Sequence, residues 1–300
     1  MPRGEPLAAY AAFPSWRATM AAPAVLQLDL ARPERLNALH AAMWDETAQL
    51  FRHVAQDPDV RCVVLTGGES RIFCAGIDKI SAAHGMTDRC CSQVLDMGLE
   101  METGAADRTA LRLQIQLKRM QAAFTAIAEC RVPVVAAVHG ACIGAGIDMI
   151  TACDIRIASR DARFSVKEVD LAIVADMGTL QRLPRVVGHH SWVRDICLTG
   201  RVFDAAEAER HGLVSAVLPD RDAAVEAAVA TAACIASKSP VAVVGTKQTL
   251  NYTDDHTVAD GLDRVATLNA ALLQGQDTAI AIRAFLSPHR KSKSAVFPKL

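Results

Sequence analysis

Two runs in this 300-residue chain restrict its fold more than any other feature. Residues 61–66 read RCVVLT and end at Gly67-Gly68; residues 132–138 read VPVVAAV and end at His139-Gly140. Neither run alternates apolar with polar residues. A strand that is apolar on both sides must be covered on both faces, which is the condition of a parallel sheet between helical layers. The second run continues through ACIGAGIDMITAC to Cys153 and is apolar enough to resemble a membrane span. Pro133, His139, Asp148 and glycines at 140, 144 and 146 interrupt it, so it reads as buried strand, tight turn and helix start.

The rest of the chain fits that frame. Strands are expected at 24–30, near 72–74, and at 134–138, 154–158, 163–166 and 213–218. Helices are expected at 39–56, at 107–129 and from the 144–146 turn to about 152. The second of these carries Leu111, Leu113, Ile115, Leu117, Met120, Phe124 and Ile127 at helical spacing. Residues 80–106 are mixed and read as a mobile loop with short helices, while 222–300 read as almost wholly helical. The expected organisation is a disordered leader over 1–21, an α/β core over 22–218, and a helical region with an exposed tail over 219–300. The leader is Ala-rich with Arg3 and Arg17 and also resembles a weak transit peptide.

Composition narrows the function classes. With 51% hydrophobic and 22% charged residues the chain can bury a large core, which excludes a disordered protein. Its 32 basic and 33 acidic residues leave a net charge of −1, so no global field draws it to nucleic acid or an anionic membrane. A small anionic ligand needs only a local patch. None of the nine cysteines forms a C-x-x-C pair and no H-E-x-x-H occurs, so the thiols read as reduced and structural and no metal site is expected.

The glycine turns carry the chemistry. Gly144-Ala145-Gly146 follows a strand as in a dinucleotide fingerprint, but Met149 stands where the third glycine belongs. No G-x-S-x-G and no phosphate-binding G-x-x-x-x-G-K-[ST] occur. Two turns, Cys74 to Asp78 and Gly140 to Gly146, each follow a buried strand and expose backbone N–H groups. Two such turns can aim two donors at one oxygen, although glycines also serve tight turns with no further role. Three carboxylates lie in apolar surroundings near them. Asp148 is either a helix-dipole partner or a site residue, Asp176 either an N-cap for a helix near 179–183 or an acid–base group, and Glu168 lies between them.

These residues carry a resemblance. RPERLNAL at 32–39, AGIDK at 75–79, HGACIGAGIDMITACDIRIAS at 139–159 and FSVKEVDLAIVADMGTLQRLP at 164–184 resemble the enoyl-CoA hydratase/isomerase (crotonase) superfamily over about residues 22–290. The resemblance implies an α/β fold, a crotonase-like spiral of ββα units with a C-terminal α-helical oligomerisation region that forms trimers, often paired into hexamers. It implies an acyl-CoA thioester substrate and no metal or redox cofactor. The backbone N–H groups of Ile77 and Ala145 fall on the positions that hold the thioester oxygen, with Ala145 standing where relatives usually carry glycine. Ala75, Gly76, Ile77, Asp78, Lys79 and Ala145 fall on the CoA-binding positions; Lys79 is equally a solvated surface lysine.

Asp148, Glu168 and Asp176 together match the dienoyl-isomerase pattern within the family. That implies conversion of 3,5-dienoyl-CoA to 2,4-dienoyl-CoA in fatty-acid beta-oxidation, with Asp176 as base at C2 and Glu168 as acid at C6. Hydration of 2-enoyl-CoA, 3,2-enoyl-CoA isomerisation and a catalytically silent binding role are the alternatives. The final Pro298-Lys299-Leu300 resembles the S-K-L peroxisomal address, so the expected compartment is a peroxisome or glycosome-like organelle, read by an import receptor, or the mitochondrial matrix.

Overall fold

The computed structural model describes residues 5–78, 106–286 and 295–300. Lys79 and the loop expected over 80–106 fall almost wholly outside these residues.

A six-stranded sheet organises the molecule. Its strands are β1 (Trp16–Ala22), β2 (Val25–Leu30), β3 (Cys62–Thr66), β4 (Val134–Val138), β6 (Ile155–Ser159) and β9 (Val217–Leu218), in that spatial order. β1 and β2 form an antiparallel hairpin, and every later neighbour pair is parallel. A smaller sheet places β5 (Ala141–Ile143) beside β7 (Arg163–Ser165) and β7 beside β8 (Phe203–Asp204).

The two apolar runs are covered on both faces, as their composition requires. Val63 and Leu65 of β3, with Val134, Ala136 and Val138 of β4, join the core under α1 (Ala41–Gln56) and α2 (Ala106–Ala128). Cys62 and Val64, with Val135 and Ala137, face the other way onto α7 (Arg221–Ala236). The period-two alternation of a strand thus divides one apolar run between two cores. α7 meets the sheet through Ala224, Ala228, Ala232 and Ala236, all buried and spaced by four. Small side chains on one helical stripe let the helix lie close to the strands.

Two expectations need correction. The leader is folded from residue 5 onward: β1 pairs with β2 from Trp16↔Leu30 to Ala22↔Val25, and Tyr10 and Phe13 are buried. The Tyr10 hydroxyl donates to Asp57 Oδ2 at 2.8 Å. Alanine-rich composition hides a strand because alanine marks neither face, while Trp16 and Ala18 still reach the core. The boundary at 218 also fails as a limit of the core, since α7 supplies its second layer.

Between α2 and β6 lies the short helix α3 (Ala145–Thr151). After β7 come α4 (Thr179–Val187) and α5 (His190–Thr199), and α6 (Ala205–Arg210) follows β8. Beyond α7, α8 (Pro240–Thr253), α9 (Val258–Leu272) and α10 (Gln276–Leu286) form the helical tail. Lys247 of α8 is buried, donating to Asp154 Oδ2 at 2.7 Å and to the Val132 carbonyl at 3.2 Å. The strand expected near 72–74 is reduced to a single bridge, Cys74↔Cys142, and that expected at 213–218 to Val217–Leu218. Among the described residues no single helix is long and apolar enough to cross a membrane.

Enlarging the alanine stripe tests the second core. Ala228→Leu is expected to lower stability by about 1–3 kcal/mol through overpacking against β3 and β4. Denaturant unfolding measures this, and an unchanged midpoint rejects the close contact.

Candidate active site

The first glycine turn is held between two other segments. Cys74 N–H donates to the Ala141 carbonyl and Ile143 N–H to the Cys74 carbonyl, each at 3.0 Å. On its other side Leu39 N–H donates to the Gly76 carbonyl at 2.8 Å, and Asp78 N–H to the Leu39 carbonyl at 2.9 Å. In a trans peptide the C=O and N–H point in opposite directions. The Gly76 carbonyl aimed at Leu39 therefore turns the Ile77 N–H away from that segment. Among the described residues, Ile77 N–H has no protein acceptor. Asp78 is buried and ion-paired with Arg32 at 3.0 Å, so it anchors the turn. Ala75 is half-buried and donates its N–H to the Leu36 carbonyl at 3.1 Å.

The second turn leads from β5 into α3. Its left-handed residue is Gly144, at φ 53°, whereas Ala145 is already helical. An alanine there carries no backbone strain, which answers the departure from the family's glycine. The Gly144 carbonyl accepts from Ile147 N–H at 2.7 Å, and the Ala145 N–H has no acceptor among the described residues. A Cβ at Gly76 would lie 3.9 Å from Ala145 N, and one at Gly144 would lie 3.1 Å from Glu168 Oε1. The Gly76 turn thus lies beside Ala145 N and the Gly144 turn beside the Glu168 carboxyl, with glycines leaving room at both.

The three carboxylates differ in surroundings. Asp148 is buried in α3, and its Oδ1 accepts the Thr179 N–H at 2.6 Å. Burial pushes its carboxyl up to about 7; hydrogen bonding from Thr179 opposes the rise, and the charges of Glu168 and Asp176 add to it. Glu168 is half-buried with Oε2 shielded and unpartnered among the described residues. Burial raises its pKa, and the charge of Asp176 raises it further. Asp176 is exposed, yet the protein on one side desolvates it enough to raise its pKa too.

Of the two readings left open for Asp176, the structure removes the N-cap. The side chain that caps α4 is that of Asp148, from another helix, which leaves the Asp176 carboxyl available. The loop bearing Asp176 is fixed from three sides. Gln121 of α2 donates to the Asp176 carbonyl at 2.7 Å, Arg182 donates to the Met177 carbonyl at 3.3 Å, and Thr179 is tied to Asp148. Gly178 sits at φ 127° beneath the Arg182 guanidinium, where a Cβ would lie 1.9 Å from Nη1. Sequence reasoning missed Gln121, Thr179 and Arg182. Gly178, directly after an apolar stretch and before a helix, was the one available signal.

Among the described residues no group of three His, Cys, Asp or Glu side chains is arranged to hold a metal ion. Pro298, Lys299 and Leu300 are exposed. Arg61 holds the Phe297 and Pro298 carbonyls at 2.7 and 2.9 Å, and Lys299 pairs with Asp59.

Comparison with known proteins identifies the family. The family described as enoyl-CoA hydratase/isomerase matches residues 21–291. The chain belongs to the enoyl-CoA hydratase/isomerase family. It is 43% identical to the mitochondrial Delta(3,5)-Delta(2,4)-dienoyl-CoA isomerase of Rattus norvegicus, over 96% of this chain and 84% of that one. It is 44% identical to the peroxisomal Delta(3,5)-Delta(2,4)-dienoyl-CoA isomerase of Arabidopsis thaliana, over 87% of this chain and 89% of that one. Among solved structures it matches the enoyl-CoA hydratase of Bacillus anthracis with a TM-score of 0.80 at 26% identity, covering 95% of this chain and 99% of that one. The crotonase-type α/β fold expected from the sequence is thus present.

The buried carboxyl gives a pH prediction. Unfolded Asp148 loses its proton near 3.8, while the folded chain keeps it up to about 7. The folded state binds more protons in that window, so stability falls as pH rises through it. Asp148→Asn keeps an oxygen for the Thr179 N–H and has no proton to lose. It is expected to flatten this share of the slope in thermal melts from about pH 4 to 8, and an unchanged slope rejects a protonated Asp148.

Proposed function

We propose that this chain isomerises 3,5-dienoyl-CoA to 2,4-dienoyl-CoA, a double-bond shift in fatty-acid beta-oxidation, in a mitochondrion or peroxisome. The supporting observation is the mutually interacting trio Asp148, Glu168 and Asp176, with two backbone N–H groups that lack acceptors among the described residues, in a chain 43% identical to a dienoyl-CoA isomerase.

The chemistry follows from the substrate. Loss of a proton from C2 leaves a dienolate whose charge spreads over the thioester oxygen, C2, C4 and C6. Protonation at C6 then leaves double bonds at C2 and C4. One proton leaves and one enters, and no electron is gained or lost, so the reading includes no metal or redox cofactor. C2 and C6 are four bonds apart, which requires two carboxyl groups along the chain. Asp176 is the more exposed group and takes the C2 proton as carboxylate. Glu168, shielded and pushed up by burial, gives its proton at C6. The N–H groups of Ile77 and Ala145 hold the oxygen as negative charge develops on it. Asp148 keeps the Asp176 loop in place by capping α4.

This geometry disfavours hydration. A hydratase needs a second carboxylate free to orient water, and that of Asp148 is buried and engaged by Thr179. The reading is tested by offering purified protein a 3,5-dienoyl-CoA and a 2-enoyl-CoA side by side. Conjugated-diene absorbance with little hydration is expected; hydration without a diene signal reverses it. Asp176→Asn and Glu168→Gln are each expected to lower turnover by about 10²–10⁴-fold with folding and CoA affinity retained, and near-normal turnover in either rejects its role.

The assembly belongs to the same proposal. Leu262, Leu273, Ile282 and Leu286 of the helical tail are more than half exposed in the isolated chain. Such an apolar face fits burial between subunits of a homotrimer or hexamer. Light scattering after gel filtration is expected to give three or six chains, and a monomer rejects it. Pro298, Lys299 and Leu300 are exposed, as recognition by an import receptor requires.

A further inference from the structure

The Ile77 N–H faces the site only while the Gly76–Ile77 peptide keeps one orientation. Gly76 sits at φ 90°, and glycine gives the turn little resistance to a peptide flip. A flip would put the Gly76 carbonyl where a donor is needed. What prevents it lies outside the turn, in residues 36–39. Leu39 N–H holds the Gly76 carbonyl at 2.8 Å, and the Leu36 carbonyl accepts from Ala75 N–H at 3.1 Å.

That segment is itself in an unfavourable conformation. Leu36 and Asn37 are both left-handed, at φ 52° and 54°, which two consecutive L-residues rarely adopt. The Asn37 side chain offsets this. It is fully buried, and three of its four hydrogen-bonding positions carry close contacts. Oδ1 accepts from Arg32 N–H at 3.1 Å, and Nδ2 donates to the Gly67 carbonyl at 2.8 Å and the Phe73 carbonyl at 2.9 Å. One amide thereby joins the end of β3, the residue before the glycine turn and the start of its own loop. The Asn37 carbonyl accepts from the Cys74 thiol at 3.2 Å, and that sulfur accepts from Gly76 N–H at 3.4 Å. Both peptides flanking Gly76 are thus tied to the loop that Asn37 fixes.

We propose that Asn37 is the positioning residue of the first thioester-oxygen donor: its buried amide locks residues 36–39, and through Leu39 the orientation of the Ile77 N–H. The inference rests on the isomerase reading above. Because the donor acts most strongly on the dienolate, disturbing it lowers kcat more than it raises KM.

Asn37→Gly keeps the left-handed backbone and removes the amide. Loss of one such donor costs about 10²–10³-fold in turnover, and partial misplacement is expected to cost about tenfold or more. The expected result is that fall in kcat with KM and CoA affinity little changed. The red shift that a polarising donor pair imposes on bound 2,4-dienoyl-CoA is expected to be lost as well. Asn37→Gly with wild-type kcat and red shift overturns the inference, whatever its melting temperature. Should this variant not fold, Cys74→Ala and Cys74→Ser decide. Alanine removes the link between the Asn37 carbonyl and Gly76 N–H, and serine replaces it. A lower kcat in alanine, recovered in serine, supports the inference; equal kcat in both overturns it. Wild-type protein with neither isomerisation nor red shift overturns the isomerase reading, and this inference falls with it.

Discussion

The main-chain bonds of Cys74 to Ala141 and Ile143 are the constraint on which the site depends. They set the two glycine turns side by side, so Gly76 and Ala145, remote in sequence, become neighbours. No side chain could do this with equal rigidity, because a backbone bridge has no rotamers to lose. β3 and β4 deliver the two turns in register, since they are parallel neighbours that start together at Val63↔Val134. Their double burial ties that register to two cores at once: a slip of one residue would exchange the set facing α1 and α2 for the set facing α7.

Burial then separates three chemically similar carboxylates. Asp148 is enclosed and engaged by the α4 N-terminus, Glu168 is shielded with one oxygen unpartnered among the described residues, and Asp176 stands at the surface. The gradient gives each a different environment without any change of residue type. By holding the first turn of α4, Asp148 fixes Met177 and Gly178, and with them the loop that carries Asp176. Gln121 and Arg182 complete that support from α2 and α4.

Much of this was legible in the sequence where local pattern and burial coincide. RCVVLT and VPVVAAV could be read as doubly buried strands because every residue in them is constrained alike. The Gly144 turn was legible because only glycine adopts its conformation cheaply. β1 was not, because an alanine-rich strand displays no alternation until Trp16 finds its pocket. The place of α7 in the core was also hidden, since an alanine stripe has meaning only against the sheet that it approaches. Asn37 was visible within RPERLNAL, but its role was not, because its partners Gly67 and Phe73 lie 30 and 36 residues away.

The sequence by itself determined which residue types stand at the chemically decisive places: the glycine turns, the three carboxylates, and the family to which their pattern belongs. Tertiary structure decided the surroundings in which those residues stand. Burial depth, the bond from Asp148 to Thr179 and the lock around Asn37 arise from segments far apart in the chain. A group's proton affinity and a peptide's orientation are set by what folding packs around them, and spacing along the chain does not carry that information.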